Sequence, residues 1–149
     1  MSQKIVVVGV DGSGTAERAA LTAHRLASAL RARLHVVTAF DSDRTEVFGS
    51  GSETWIDSDA DAAERTARAV ALNLPAMPED REITFAAARG KPGVALVEEA
   101  ERLQASLIVV GNKRMHGIGR VLGSVANSVA HNAKCDAYIA NTAHGQAVD

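Results

Sequence analysis

Cys135 is the only cysteine among 149 residues, so no disulfide can form within one chain, and the composition suits a reducing compartment. Aromatic residues make up only 3%: Trp55, Tyr138 and three phenylalanines, which argues against a bulky aromatic pocket. No apolar run approaches the roughly 18 residues that a membrane-spanning helix requires. The first apolar run, in "KIVVVGV", stops at Asp11 and is too short for the core of a secretion signal. Charge of one sign is not in excess. A formal net charge of -2 excludes a broad electrostatic attraction to nucleic acid or to a membrane surface. These absences lead us to expect a cytoplasmic protein of one domain, over 1–143, with a frayed tail at 144–149.

What remains is a chain that is 46% hydrophobic, with alanine and valine prominent among those residues. Five short apolar runs punctuate it, at 4–10, 33–40, 82–88, 106–111 and 137–141. The first and fourth are continuous rather than alternating, as strands buried on both faces of a parallel sheet should be. Between the runs lie stretches with helical spacing. Thr15 to Arg31 places Ala16, Ala19, Ala20, Ala23, Ala27 and Leu30 on one face, behind Asp11 or Ser13 as N-cap. Asp59 to Leu74 repeats small apolar residues. Pro92 suits a first helical position, with Leu96, Ala100 and Leu103 following, and Ser124 to Ala133 aligns Val125 with Val129. Alternating strands and helices predict an α/β domain with a mostly parallel sheet and right-handed crossovers. The polar stretch "DSDRTEVFGSGSETWIDS", 41–58, has no clear period and is expected to be a long loop, with Trp55 as a hydrophobic anchor.

In an open parallel sheet, ligands bind beyond the carboxyl ends of the strands, so the residues after each run carry the functional information. After the first comes "GVDGSG". Its Asp11 reads either as part of a helix N-cap or as a partner for a ribose hydroxyl or a phosphate-bound metal. After the second, Thr38 and Ala39 leave room for a flat ring. After the third, "ARGKPG" supplies Gly90, two cations and a helix start, where free N–H groups favour an anion. The fourth is followed by "GNKRMHGIGRVLGS", with Gly111, Gly117, Gly119 and Gly123, the cations Lys113, Arg114 and Arg120, and Ser124 opening the next helix. Glycines there permit close backbone approach to phosphate oxygens. The stretch matches neither the P-loop pattern nor the dinucleotide fingerprint.

The segments "IVVVGVDGS", "GKPGVALVEEAERLQASLIVVGN" and "LGSVANSVAHNAKCDAYIANT" together resemble the universal stress protein family, and the resemblance runs from end to end. It implies a Rossmann-like, five-stranded parallel sheet with helices on both faces, akin to the adenine nucleotide alpha hydrolases. It also implies a homodimer through the last strand, "AYIANT", where paired edges would satisfy open backbone groups. Many members bind ATP through a loop written G-x2-G-x9-G-[ST]. Gly111 falls on its first glycine and Gly123 with Ser124 on its closing pair. Arg114 stands at the second glycine, and the interval from there to Gly123 holds eight residues rather than nine.

The resemblance thus implies ATP or another adenine nucleotide, with or without Mg²⁺, as ligand. Ala39 and its neighbours would face adenine, and Asp11 would meet ribose or a Mg²⁺–phosphate. Gly111, Gly123, Ser124 and Val125 would hold phosphates, with Gly90, Gly117 and Gly119 shaping the site and Lys113, Arg114 or Arg120 as charge partners. No residue stands out as a general base or nucleophile, so at most slow hydrolysis is expected, in a signalling role toward a protein partner. The alternative is a dimeric interaction module that binds no nucleotide, its loop closed by Arg114. His131 and Cys135 lie four apart, but nothing completes a zinc site around them.

Overall fold

The computed structural model of the protein describes residues 3–41, 45–48, 55–112 and 123–142. In chain order the elements are β1 (Ile5–Gly9), α1 (Gly14–Leu30), β2 (Arg33–Phe40), β3 (Thr45–Phe48), β4 (Trp55–Ser58), α2 (Asp59–Leu72), β5 (Ile83–Arg89), α3 (Pro92–Leu103), β6 (Leu107–Gly111), α4 (Ser124–Asn132) and β7 (Asp136–Ala140). Five of the strands form one sheet in the order β5-β2-β1-β6-β7, and every pair in it is parallel. The sheet, its strands and the four helices agree with the expectation from the apolar runs.

The continuous run at the start of the chain has a direct structural cause. Val6, Val7 and Val8 are each 0% exposed, because β1 lies in the middle of the sheet and both its faces are covered. Val6 and Val8 pack with α1 and α2, through Ala16, Ala19, Ala23, Ala67 and Val70. Val7 faces the other layer, where Leu96 and Val97 of α3 and Ala126 and Val129 of α4 close the core. Alanine on the inward face of α1 brings that helix close to the sheet, and fully buried valines each contribute about 1.5–3 kcal/mol of hydrophobic stabilisation.

The 41–58 segment differs from the loop expected there. β3 and β4 form an antiparallel pair in which Thr45 lies opposite Ser58 and Phe48 opposite Trp55. The cause lies in two short tracts, "TEVF" and "WIDS", whose aromatic and β-branched residues favour extended backbone. The Gly/Ser-rich connection between them masked the alternation. Ser58 then caps α2, its hydroxyl accepting the Asp61 N–H at 3.0 Å. The Trp55 side chain, expected to be a hydrophobic anchor, and residues 143–149, with the frayed tail expected at 144–149, lie outside the described residues.

Two buried histidines join distant parts of the chain. The His24 ring, on α1, meets Asp80 Oδ1 at 2.8 Å through Nε2, while the Met77 N–H donates to Asp80 Oδ2 at 2.9 Å. Burial pushes the Asp80 carboxyl up, but the Met77 amide and His24 outweigh it and hold the group below the ordinary carboxylate value. On the opposite layer, His35 of β2 meets Thr84 Oγ1 of β5 at 2.6 Å and Glu99 Oε2 of α3 at 2.9 Å. Arg102 donates to both oxygens of Glu99, at 3.0 and 2.8 Å. That guanidinium, aided by His35 and opposed by burial, holds the Glu99 carboxyl below its ordinary value.

Candidate functional site

The strand order reverses beside β1: the chain builds outward through β2 to β5, then crosses back to place β6 on the other side of β1. The carboxyl ends of β1 and β6 therefore part at a topological switch point, where doubly wound domains bind ligands. A cleft of about 160 Å³ opens there. Gly9, Val10 and Asp11 enter it from β1, Val37 and Ala39 from β2, and Val110 and Gly111 from β6. Ser13, Thr15 and Ala16 line it from the start of α1, Pro92 and Leu96 from α3, and Val125 from α4.

Three helices thus begin at one cleft, each with its positive dipole end toward it. α1 is capped from within: Ser13 Oγ accepts the Ala16 N–H at 3.2 Å. The N-caps of α3 and α4, Lys91 and Gly123, make no side-chain capping bond, so first-turn amides there are left for other acceptors. Asp11 resolves one alternative left open by the sequence. The N-cap is Ser13, whereas Asp11 Oδ1 accepts the Ser13 N–H at 3.0 Å, which orients an exposed carboxylate at the rim.

Of the residues singled out by sequence, Asp11, Ala39, Gly111 and Val125 come together in the cleft wall. Gly123 and Ser124 stand immediately before Val125 at the start of α4. Gly90 has φ +130°, a conformation that only glycine adopts readily, and its N–H donates to the Phe40 carbonyl at 2.7 Å. It therefore shapes the turn into α3 rather than lining the cleft. Lys113, Arg114, Gly117, Gly119 and Arg120 lie outside the described residues. Gly111 is not among the residues with positive φ, and a Cβ there would meet Thr142 and Thr15 at ordinary contact distances of 3.4–3.5 Å.

Gly9 and Leu96 were not assigned to the site from the sequence, where Leu96 stood only on the apolar face of its helix. A Cβ at Gly9 would stand 2.5 Å from Leu96 Cδ1, so the floor of the cleft exists in this form because position 9 has no side chain. A glycine closing a β-strand next to the functional turn is the signal that pointed there. Gly93, which follows Pro92 in the first turn of α3, packs against Ser128 of α4, a contact the sequence did not reveal. Cys135 follows the end of α4, so it shares no helix with His131, and burial followed by the charge of Asp136 pushes its thiol up toward the neutral form. Among the described residues no group of three or more His, Cys, Asp or Glu side chains is arranged to hold a metal ion, and no helix is long and apolar enough to cross a membrane.

A parallel sheet covered on both faces, with a small cleft at its switch point ringed by helix N-termini, defines a Rossmann-like α/β domain. The model of the universal stress protein family matches residues 2–141, and the chain belongs to that family. Among its relatives, the universal stress protein Rv1636 of Mycobacterium tuberculosis is 35% identical over 151 residues, spanning 93% of this chain and 97% of the relative. A universal stress protein of Thermus aquaticus is 31% identical over 133 residues, spanning 89% and 94%. Among solved structures, a universal stress protein in complex with cAMP superposes with a TM-score of 0.69 at 33% identity, covering 96% of this chain and 100% of the other. The universal stress protein from Archaeoglobus fulgidus in complex with dAMP gives 0.57 at 23% identity, with 93% and 98% covered, a likeness of fold.

Proposed function

We propose that this protein binds an adenine nucleotide in the switch-point cleft and acts as a cytoplasmic stress-response regulator. The observation that carries this reading is the convergence of Asp11, Ala39, Gly111 and Val125, far apart in sequence, on one cleft beside the open N-termini of α3 and α4. The relative solved with cAMP supports the same ligand class. At about 160 Å³ the cleft is smaller than the roughly 300–1,000 Å³ typical of small-molecule sites, so it takes one part of the nucleotide. Its lining from Val37, Ala39 and Leu96 suits the base, and the rim carries Asp11 for ribose. Phosphates are assigned to Gly111 and to the start of α4, with Lys113, Arg114 and Arg120 as charge partners. Asp11 alone does not make a metal site, so Mg²⁺ belongs here only as a companion of the phosphates. No residue is assigned a catalytic role, and hydrolysis is expected to be slow at most.

The test is calorimetric titration of protein stripped of nucleotide with cAMP, AMP and ATP, the last with and without Mg²⁺. Saturable heat for at least one of them is expected, and absence of heat up to millimolar concentration for all would overturn the reading. Arg114→Gly sharpens it. If the arginine serves a phosphate, the substitution weakens binding of a phosphate-bearing ligand by about tenfold, the size of one charge-assisted hydrogen bond. A second reading, an interaction module without nucleotide, rests on the missing second glycine and the eight-residue interval. Under it the wild type gives no heat, and Arg114→Gly gains binding.

The assembly proposed is a homodimer through β7, with a further protein partner of unidentified nature. β7 is an edge of the sheet, and its Tyr138 side chain is 44% exposed. Open N–H and C=O groups on such an edge invite pairing with a second copy. Sedimentation should show twice the chain mass for the wild type. Tyr138→Asp, which sets like charges near one another across the seam, should shift it toward monomer. A monomeric wild type would rule out the dimer.

A further inference from the structure

We propose that Asn112 and Thr142 are positioning residues for this cleft: a buried polar clamp that fixes the exit of β6, and with it Gly111, against the exit of β7. The inference rests on the nucleotide reading above. Asn112 directly follows β6, and Asn141 and Thr142 directly follow β7. Asn112 is 3% exposed and Thr142 1%, in a place where the sheet has ended and backbone pairing no longer satisfies polar groups. The Thr142 N–H lies 2.8 Å from one terminal atom of the Asn112 amide. An N–H can only donate, so that atom is the oxygen, Oδ1. The Thr142 hydroxyl, also at 2.8 Å from Oδ1, must then donate as well. This leaves Nδ2 to donate to Asn141 Oδ1 at 3.1 Å. Among the described residues, this side chain thus accepts two hydrogen bonds and gives a third to the segment after β7.

The clamp acts on the site through Gly111. That residue lines the cleft, pairs with Ala140 in the sheet, and has Thr142 Oγ1 and Cγ2 at 3.4 and 3.5 Å from the place a Cβ would take. Gly111 has no side chain to anchor it. Its place in the cleft wall is therefore set by the strand before it, the Asn112 clamp after it, and Thr142 at its side. Partly satisfied, such a buried network loses more than one bond. Neither Asn112 nor Thr142 lines the cleft, so their effect on a ligand is indirect.

The experiment uses the full chain with Thr142→Val, which keeps the volume and the backbone N–H but removes the hydroxyl donor, and Thr142→Ser, which restores it. Affinity is read by calorimetry with cAMP and ATP at a temperature where each variant is fully folded. Exchange of the Gly111 and Asn112 amides is read without ligand. Thr142→Val is expected to weaken binding about tenfold, equivalent to about 1.4 kcal/mol. It should also speed exchange at Gly111 and Asn112 by about the same factor while leaving Val7 and Val8 of β1 unchanged, and Thr142→Ser should reverse both. A lower thermal midpoint with unchanged affinity and unchanged Gly111 exchange would assign the clamp a purely structural role and overturn the proposal. If Thr142→Val does not fold, Asn141→Ala, at an exposed position, removes the acceptor of Nδ2 and should weaken binding about threefold, by partial loss of one neutral hydrogen bond; unchanged affinity there overturns the proposal equally. If the wild type binds neither nucleotide, the functional reading fails on that result alone. Exchange at Gly111 then decides the clamp, and wild-type exchange in Thr142→Val refutes it.

Discussion

Gly93→Ala should lower the thermal midpoint by about 4–8 °C, and weaken any ligand binding in the cleft at the same time. A Cβ at position 93 would stand 2.5 Å from Ser128 Cβ and 2.6 Å from its Oγ. The hydroxyl can rotate away, but the Ser128 Cβ is fixed to the backbone of α4, so relief requires α3 and α4 to separate. Overpacking of this kind costs about 3 kcal/mol, and in a domain of this length each kcal/mol moves the midpoint by roughly 2–4 °C. The helix propensity gained by alanine offsets only part, up to about 1 kcal/mol in a helix interior. Because Pro92 and Leu96 of α3 and Val125 of α4 line the cleft, the separation also distorts the site. Ser128→Gly removes the opposing Cβ, so the double variant Gly93→Ala, Ser128→Gly should recover much of the lost midpoint. A cycle of the two substitutions by thermal melting measures the coupling. An unchanged midpoint in Gly93→Ala would show that the helices have room the packing does not reveal.

The second large effect is expected at Glu99. Its side chain and that of His35 are 11% and 9% exposed, and the carboxylate serves His35 and Arg102 together. Glu99→Ala leaves the His35 ring without its acceptor inside the α3 layer. A loss of about 3 kcal/mol at neutral pH is expected, the low end of the range for breaking a buried pair, since Arg102 itself reaches solvent. The pH dependence has a definite sign. In the folded protein the Glu99 carboxyl is held below its ordinary value of 4.5, chiefly by Arg102 and then by His35, against burial. The unfolded chain therefore takes up this proton first. The stabilisation is complete above about pH 4.5 and is lost as pH falls through the lowered folded value. Asp80, lowered by the Met77 amide and His24 against burial, adds to the same acid limb. Urea denaturation across that range should show a steep loss for the wild type and a shallower one for Glu99→Ala, which keeps only the Asp80 contribution. Parallel acid limbs in the two proteins would refute the assignment.

Neither of these predictions was open to sequence reasoning, and the reason is distance along the chain. His24 and Asp80 are separated by 56 positions, His35 and Glu99 by 64. Local periodicity reports which face of a helix or strand is buried, and it carries no record of which polar residue finds which. That is why α1, α2, α3, α4 and the strands of the large sheet were legible, down to the start of α3 at Pro92, while the polar joints between them were not. Asp11 and Ala39 were singled out because both stand at the carboxyl ends of strands, Asp11 just past β1 and Ala39 in the last residues of β2, and the family pattern added Gly111 and Val125. Gly9, Leu96 and Gly93 escaped because each matters for what it nearly touches. The β3–β4 pair was missed for a different cause: two four-residue tracts around a Gly/Ser-rich connection are too short to stand out from a polar loop.

The central position of β1 has a consequence for how the protein is made. Val6 lies beside Leu34 on one side and Leu107 on the other. The first neighbour leaves the ribosome soon after β1 itself, whereas the second follows roughly a hundred residues later. At synthesis rates of about 5–20 residues per second that interval is several seconds or more, during which β1 has one open edge. The cleft needs Asp11 from one flank and Gly111 and Val125 from the other, so a nascent chain halted before β6 holds three of the five strands and lacks part of the pocket wall. On the proposed reading, ligand binding is therefore open only to chains extended past α4, and an adenine nucleotide that holds the two flanks together would reward completion of synthesis with resistance to proteolysis.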